Sequence, residues 1–212
     1  MGNLVFQKGQ KVLFIGDSIT DSGRREQAYT QLGYGYFLFA SSVIQARYPE
    51  LDLVFENRGI GGNTMLDLQA RWETDCIAEQ PDWLSCLIGI NDASCVWRRR
   101  PGYQRLAADE YLTNYRDLLR QVRDQTPARI ILWQPFLIST DHDLARYQGV
   151  KPYIAAVDQL AGEFDAILIR TQSVFDEACK KRSPEFWAHD GVHPSKPGHA
   201  LMAEAFLEAV GA

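Results

Sequence analysis

Along the chain, short apolar, β-branched runs alternate with longer stretches in which apolar residues recur every three or four positions. The first pattern predicts strands at residues 11–16 (KVLFIG), 53–57 (LVFEN), 83–88, 129–133 (RIILW) and 166–170 (AILIR). The second predicts helices over residues 35–47, 65–78, 109–125, 150–163, 173–181 and 196–210. The helix at 109–125 shows the pattern well. Tyr111, Leu112, Tyr115, Leu118, Leu119 and Val122 form one apolar stripe, Arg and Asp fill the other face, and Pro127 ends the helix.

Strands alternating with helices predict an α/β layer fold around a mostly parallel five-stranded sheet, in which chemistry gathers at the carboxyl ends of the strands. Two irregular stretches, 19–33 and 92–107, follow such ends and are long enough to be functional loops. No internal repeat and no Pro/Gly/Ser-rich linker interrupts the pattern, so residues 1–212 read as one domain.

Composition narrows the function. A 212-residue chain that is 46% hydrophobic supports one substantial core. Its net charge of -5 gives no basic face for nucleic acid, and no apolar run reaches membrane-spanning length, so neither partner is expected. Residues 1–10 contain no basic stretch followed by a long apolar run, so a cytoplasmic location is expected. Cys76, Cys86, Cys95 and Cys179 lack CxxC spacing and read as buried or half-buried thiols. His142, His189, His193 and His199 make no HxxxH or HExxH arrangement, and neither metal nor cofactor is expected.

Four segments at or after strand ends carry what acyl transfer to water requires. In Gly16-Asp17-Ser18-Ile19-Thr20 a hydroxyl sits just beyond the first strand, where it can act as a nucleophile; alone, the segment reads equally as a turn cap. Residues 57–64 (NRGIGGNT) form a glycine-rich turn in which the Gly62 amide can donate to an oxyanion, although a plain tight turn capped by Thr64 fits as well. Asn91, after the third strand, offers a side-chain amide donor or an Asx turn. Near the end, Asp190-Gly191-Val192-His193 spaces a carboxylate to accept from one ring nitrogen of a histidine, leaving the other free to take a serine proton. His189, directly beside Asp190, fits that geometry poorly.

Taken together and in order, GDSIT, GIGGNT, GIND and DGVH resemble the signature blocks of the SGNH, or GDSL-type, hydrolases. The resemblance implies a flavodoxin-like three-layer α/β/α sandwich. It implies Ser18 as nucleophile, Asp190 and His193 as the rest of the triad, and an oxyanion hole of the Ser18 and Gly62 amides with the Asn91 side chain. Further stretches, among them FIGDSITDSGR, DLQARWETDCIAEQPDW and WAHDGVHPSKPGHALMAEAFL, are similar to the intracellular acetylxylan esterases of that family, which remove acetyl groups from xylo-oligosaccharides.

An oligosaccharide or small-molecule ester is therefore the expected partner, and the resemblance leaves a homo-oligomer open. Asp17, Trp97 and Trp187 are candidate substrate contacts, while Trp133 reads as core packing. The loop at 92–107 departs most from the subgroup and carries Arg98, Arg99 and Arg100, read as a solvated face. Lysophospholipase, thioesterase or arylesterase activity would use the same machinery, and a non-catalytic carbohydrate-binding protein would keep the fold without it.

Overall fold

Strand β1 (Lys11–Gly16) pairs on one side with β2 (Val54–Gly59) and on the other with β3 (Trp83–Leu87), and β4 (Arg129–Trp133) and β5 (Ile167–Ile169) extend the sheet beyond β3. All pairs are parallel, and the order is β2-β1-β3-β4-β5. This computed structural model describes residues 4–25, 31–94 and 106–212. The strand order is that of a flavodoxin-like doubly wound sheet, whose order reverses between β1 and β3 and opens a crevice at their carboxyl ends.

The sheet is covered on both faces, which is why its central strands are almost wholly apolar. Helices α2 (Tyr36–Arg47), α7 (Thr171–Cys179) and α9 (Lys196–Val210) form one layer. There Phe14 of β1 meets Phe37 at 4.3 Å and Phe206 at 5.0 Å between ring centroids, and Trp133 stacks on Phe206 at 5.9 Å. Trp133 is fully buried and its indole N–H donates to Ser85 Oγ, as core packing requires. Helices α3 (Met65–Ala70), α5 (Ala108–Gln125) and α6 (Ala145–Glu163) form the other layer. Buried Trp72, Tyr111, Tyr115 and Leu118 fill it.

Several elements shift by one or two residues from the expected bounds, and three departures stand out. The predicted helix at 65–78 divides: α3 stops at Ala70, Arg71 caps it, and Glu73–Ile77 forms a π turn. Trp72 and Cys76, four residues apart, would share a face in a regular helix, and the wider turn brings Ile77 into the core beside them. Helix α6 begins at Ala145 rather than at residue 150, running through Pro152. Burial of Tyr147, Val150, Tyr153, Val157 and Leu160 on one face outweighs the hydrogen bond that proline cannot donate. Strand β2 runs to Gly59, so the first part of the glycine-rich segment is strand.

Short helices α1 (Ser18–Asp21) and α4 (Ile90–Ser94) begin the stretches expected to be irregular, and α8 (Pro184–Trp187) lies between two expected helices. Cys76 and Cys86 are buried free thiols and Cys179 is half-buried; Cys95 lies outside the described residues. No described helix is long and apolar enough to cross a membrane.

Candidate active site

Ser18 opens α1 immediately beyond β1, at the crevice where the strand order reverses. Asp17 caps that turn, its Oδ1 accepting the Ile19 amide at 3.0 Å. Across the crevice, α4 follows β3 and clasps the loop that leaves β2. Asn91 Nδ2 donates to Asn63 O at 2.9 Å, and both Asp92 oxygens accept the Met65 amide at 3.1 Å. Thr64 and Asp67 close a reciprocal capping box at the start of α3, so the cap reading of Thr64 holds. Gly62 lies between Gly61 and Asn63 with φ 85°.

Gly59 shows how tightly this corner is built: a Cβ there would stand 2.2 Å from the Asp21 amide nitrogen. Asp21 in turn takes the Gly61 amide at 2.8 Å and the Arg25 guanidinium at 2.9 Å on its Oδ2. Asn57 joins the same corner, donating to Thr20 O at 2.7 Å and accepting the Gly59 amide at 2.8 Å.

The third wall is the turn before α9. Asp190 Oδ1 accepts the amides of Val192 and His193 at 2.9 and 2.8 Å, which curls the chain so that Asp190 Oδ2 meets His193 Nδ1 at 2.7 Å. Gly191 sits at φ 77°, a conformation that side chains resist, and its carbonyl accepts the Ile138 amide at 2.8 Å, tying the turn to the chain beyond β4. His193 Nε2 reaches Ser18 Oγ at 2.9 Å. Serine, histidine and aspartate thus form one hydrogen-bonded line, in which the carboxylate orients an imidazole whose far nitrogen can take the hydroxyl proton.

Electrostatics support that line. Burial pushes the Asp190 carboxyl up, but the amide and ring donation of His193 and the Val192 amide outweigh it and hold the group at about 2. Asp190 is therefore a carboxylate at any working pH. Burial instead pushes Asp17 up to about 7, against the lowering effects of the Ile19 amide and His193, and pushes Asp92 up to about 7 against the Met65 amide. Beneath His193, His199 is pushed down to about 4 by burial and by the neighbouring imidazole. It is held as an acceptor, its Nδ1 taking the Tyr36 amide at 3.1 Å.

The structure thus brings Ser18, Asp190 and His193 together and sets the Gly62 loop and Asn91 in mutual contact through Asn63. Two of the three substrate candidates make other contacts. Asp17 has no exposed surface, so in this structure its cap role replaces a substrate contact. The Trp187 indole N–H donates to Ala178 O at 3.2 Å and to Arg182 O at 3.3 Å, which ties that side chain to α7 and the segment after it. Its ring borders a groove of about 420 Å³ lined by Arg170, Val174, Lys181 and Leu201. Trp97, with Arg98, Arg99 and Arg100, lies outside the described residues. His189 is exposed. Asp21, Asn63, Arg71 and Asp92 also support the site; Asn63 and Asp92 lie inside the GIGGNT and GIND blocks, but nothing in the sequence assigned any of the four a role.

Comparison with known proteins agrees with this geometry. The model of the GDSL-like lipase/acylhydrolase family matches residues 14–201. An acetylxylan esterase from Geobacillus stearothermophilus is 41% identical over 211 residues, covering 96% of this chain and 94% of the relative. Its crystal structure superposes with a TM-score of 0.91 over 97% of this chain and 96% of that one. Variants of that enzyme with a serine, an aspartate or a histidine replaced by alanine are described as catalytic mutants. An α/β hydrolase from the metagenome of Lake Arreo, 30% identical, superposes with a TM-score of 0.93 over 99% of this chain and 98% of its own. On this ground the chain belongs to the GDSL-like lipase/acylhydrolase family.

Proposed function

We propose that the protein is a serine esterase that removes acetyl groups from xylo-oligosaccharides, with Ser18 as nucleophile. The observation that carries this reading is the unbroken line from Ser18 Oγ through His193 to Asp190, at 2.9 and 2.7 Å. His193 takes the hydroxyl proton as Ser18 attacks the ester carbonyl, and the tetrahedral oxyanion is met by the Ser18 and Gly62 amides and the Asn91 side chain. The protonated histidine then gives its proton to the departing sugar alcohol, leaving an acetyl-serine. Water, deprotonated by the same imidazole, releases acetate and restores the hydroxyl.

The acetyl-sugar preference is supported by the near full-length similarity to the acetylxylan esterase. Trp97 and Trp187 are the candidate platforms for a sugar ring. The test is acetate release from acetylated xylo-oligosaccharides set against nitrophenyl esters of increasing acyl length. Fast acetate release, with rates that fall as the acyl chain grows, is expected. A preference for long acyl chains would replace the carbohydrate reading with a lipase or thioesterase one.

A further inference from the structure

Arg71 ends α3, outside every segment that carries the proposed chemistry, yet its guanidinium reaches into the crevice floor with only 13% of the side chain exposed. Its Nε donates to Asn63 Oδ1 at 2.8 Å. Its Nη1 donates to Arg58 O at 2.6 Å and to Asp75 Oδ2 at 2.8 Å, and its Nη2 to Gly16 O at 3.0 Å. One planar group therefore joins the end of β1, two residues before Ser18, to the end of β2 and to the loop that carries Gly62. Asp75 holds the plane from behind. Gly16 O also accepts the Ile60 amide at 3.0 Å, so the same carbonyl receives both the start of that loop and the arginine that anchors its end.

Asn63 is where the separate pieces meet. Its side-chain oxygen takes Arg71 and its main-chain oxygen takes Asn91, while the neighbouring Gly61 amide is held by Asp21. Gly62 is thus suspended between two anchored residues, and the anchor at Asn63 also fixes the Asn91 side chain. Oxyanion donors act through prior placement: a donor that must reorganise as charge develops contributes little, and small misplacements cost large factors in rate. The five N–H groups of arginine in a rigid fork suit a task in which several oxygens must be fixed relative to one another, and lysine has no such fork.

We propose that Arg71 is a positioning residue of the esterase, a clamp that fixes the Gly62 loop and Asn91 relative to Ser18. The inference rests on the reading of Ser18 as nucleophile. That reading fails or survives on Ser18→Ala alone, whereas the clamp is read from variants in which the triad is intact.

The experiment is steady-state kinetics of Arg71→Ala, Arg71→Lys and Asn63→Ala on nitrophenyl acetate, with and without added guanidinium ion, beside the thermal midpoint of each. A clamp lowers kcat of Arg71→Ala by about 10²-fold with KM changed less than about threefold. Millimolar guanidinium, but not ammonium, restores part of that loss, because only guanidinium reproduces the fork. Arg71→Lys is expected to recover less than guanidinium does. Asn63→Ala, which removes a single bond of the set, is expected to lose about tenfold in kcat. Should Arg71→Ala fail to fold, Arg71→Lys and Asn63→Ala carry the same reading. The proposal is overturned if folded variants keep wild-type kcat, or if activity falls only in proportion to the folded fraction with no response to guanidinium.

Discussion

Asp190 holds His193 twice: its Oδ2 lies 2.7 Å from the ring Nδ1, and its Oδ1 accepts the main-chain amide of the same histidine at 2.8 Å. One carboxylate therefore sets both the backbone turn and the tilt of the imbidazole ring, which is how a three-residue spacing suffices to aim Nε2 at Ser18. Asparagine in its place could keep its one oxygen on the backbone amides only by presenting N–H donors to the ring nitrogen. Asp190→Asn is expected to lower kcat by about 10³–10⁴-fold with little change in thermal midpoint. Comparison of kcat and melting curves for the two proteins checks it.

Asn91 is the side-chain donor of the proposed oxyanion hole and is also bonded to Asn63 O. Asn91→Ala is expected to cost about 10²–10³-fold in kcat, with KM little affected. A loss confined to KM would show instead that Asn91 serves ground-state binding.

The corner at Gly59 gives a stability prediction with its own control. A methyl group at Gly59 would meet the Asp21 nitrogen at 2.2 Å and the Thr20 carbonyl carbon at 2.6 Å, both backbone atoms that cannot swing aside. Gly59→Ala is expected to cost about 3 kcal/mol or more, read from the denaturation midpoint. Gly162, inside α6 with nothing within 4 Å of its added Cβ, is expected to gain about 0.5–1 kcal/mol on Gly162→Ala.

Stability should depend on pH with opposite signs at two buried positions. His199, depressed from 6.5 to about 4, binds a proton more readily when unfolded, so its share of stability is full above pH 6.5 and is lost as pH falls toward 4. Asp17, raised from 3.8 to about 7, binds a proton more readily when folded, so its share is present below pH 3.8 and is lost as pH rises through 7. The stability of wild type relative to His199→Asn should therefore fall by about 3 kcal/mol from pH 6.5 to 4. Relative to Asp17→Asn it should rise over the same descent. Urea midpoints across that range check both signs.

Much of the sheet and of the candidate site was legible in the sequence because both depend on local patterns. Apolar runs marked all five strands, with β1 and β4 at their full bounds, and the residues of the triad and oxyanion reading lie within short blocks at or beyond strand ends. What stayed hidden depends on contacts between distant parts of the chain. Arg71 sits in an apparently continuous helical pattern, and only the fold shows that α3 breaks there and turns the guanidinium toward Gly16 O. The early start of α6 was masked by Pro152, whose local cost is offset by burial that the sequence does not display. Asp17 is a candidate substrate contact in the sequence, and the tight turn beyond β1 instead drives it fully inside.

The most direct test of the account is acetate release from acetylated xylo-oligosaccharides by the wild-type protein and by Ser18→Ala at matched concentration. Rapid release by the wild type, reduced about 10⁴-fold or more in a variant of equal thermal stability, is the expected result. Release by Ser18→Ala at the wild-type rate would contradict it.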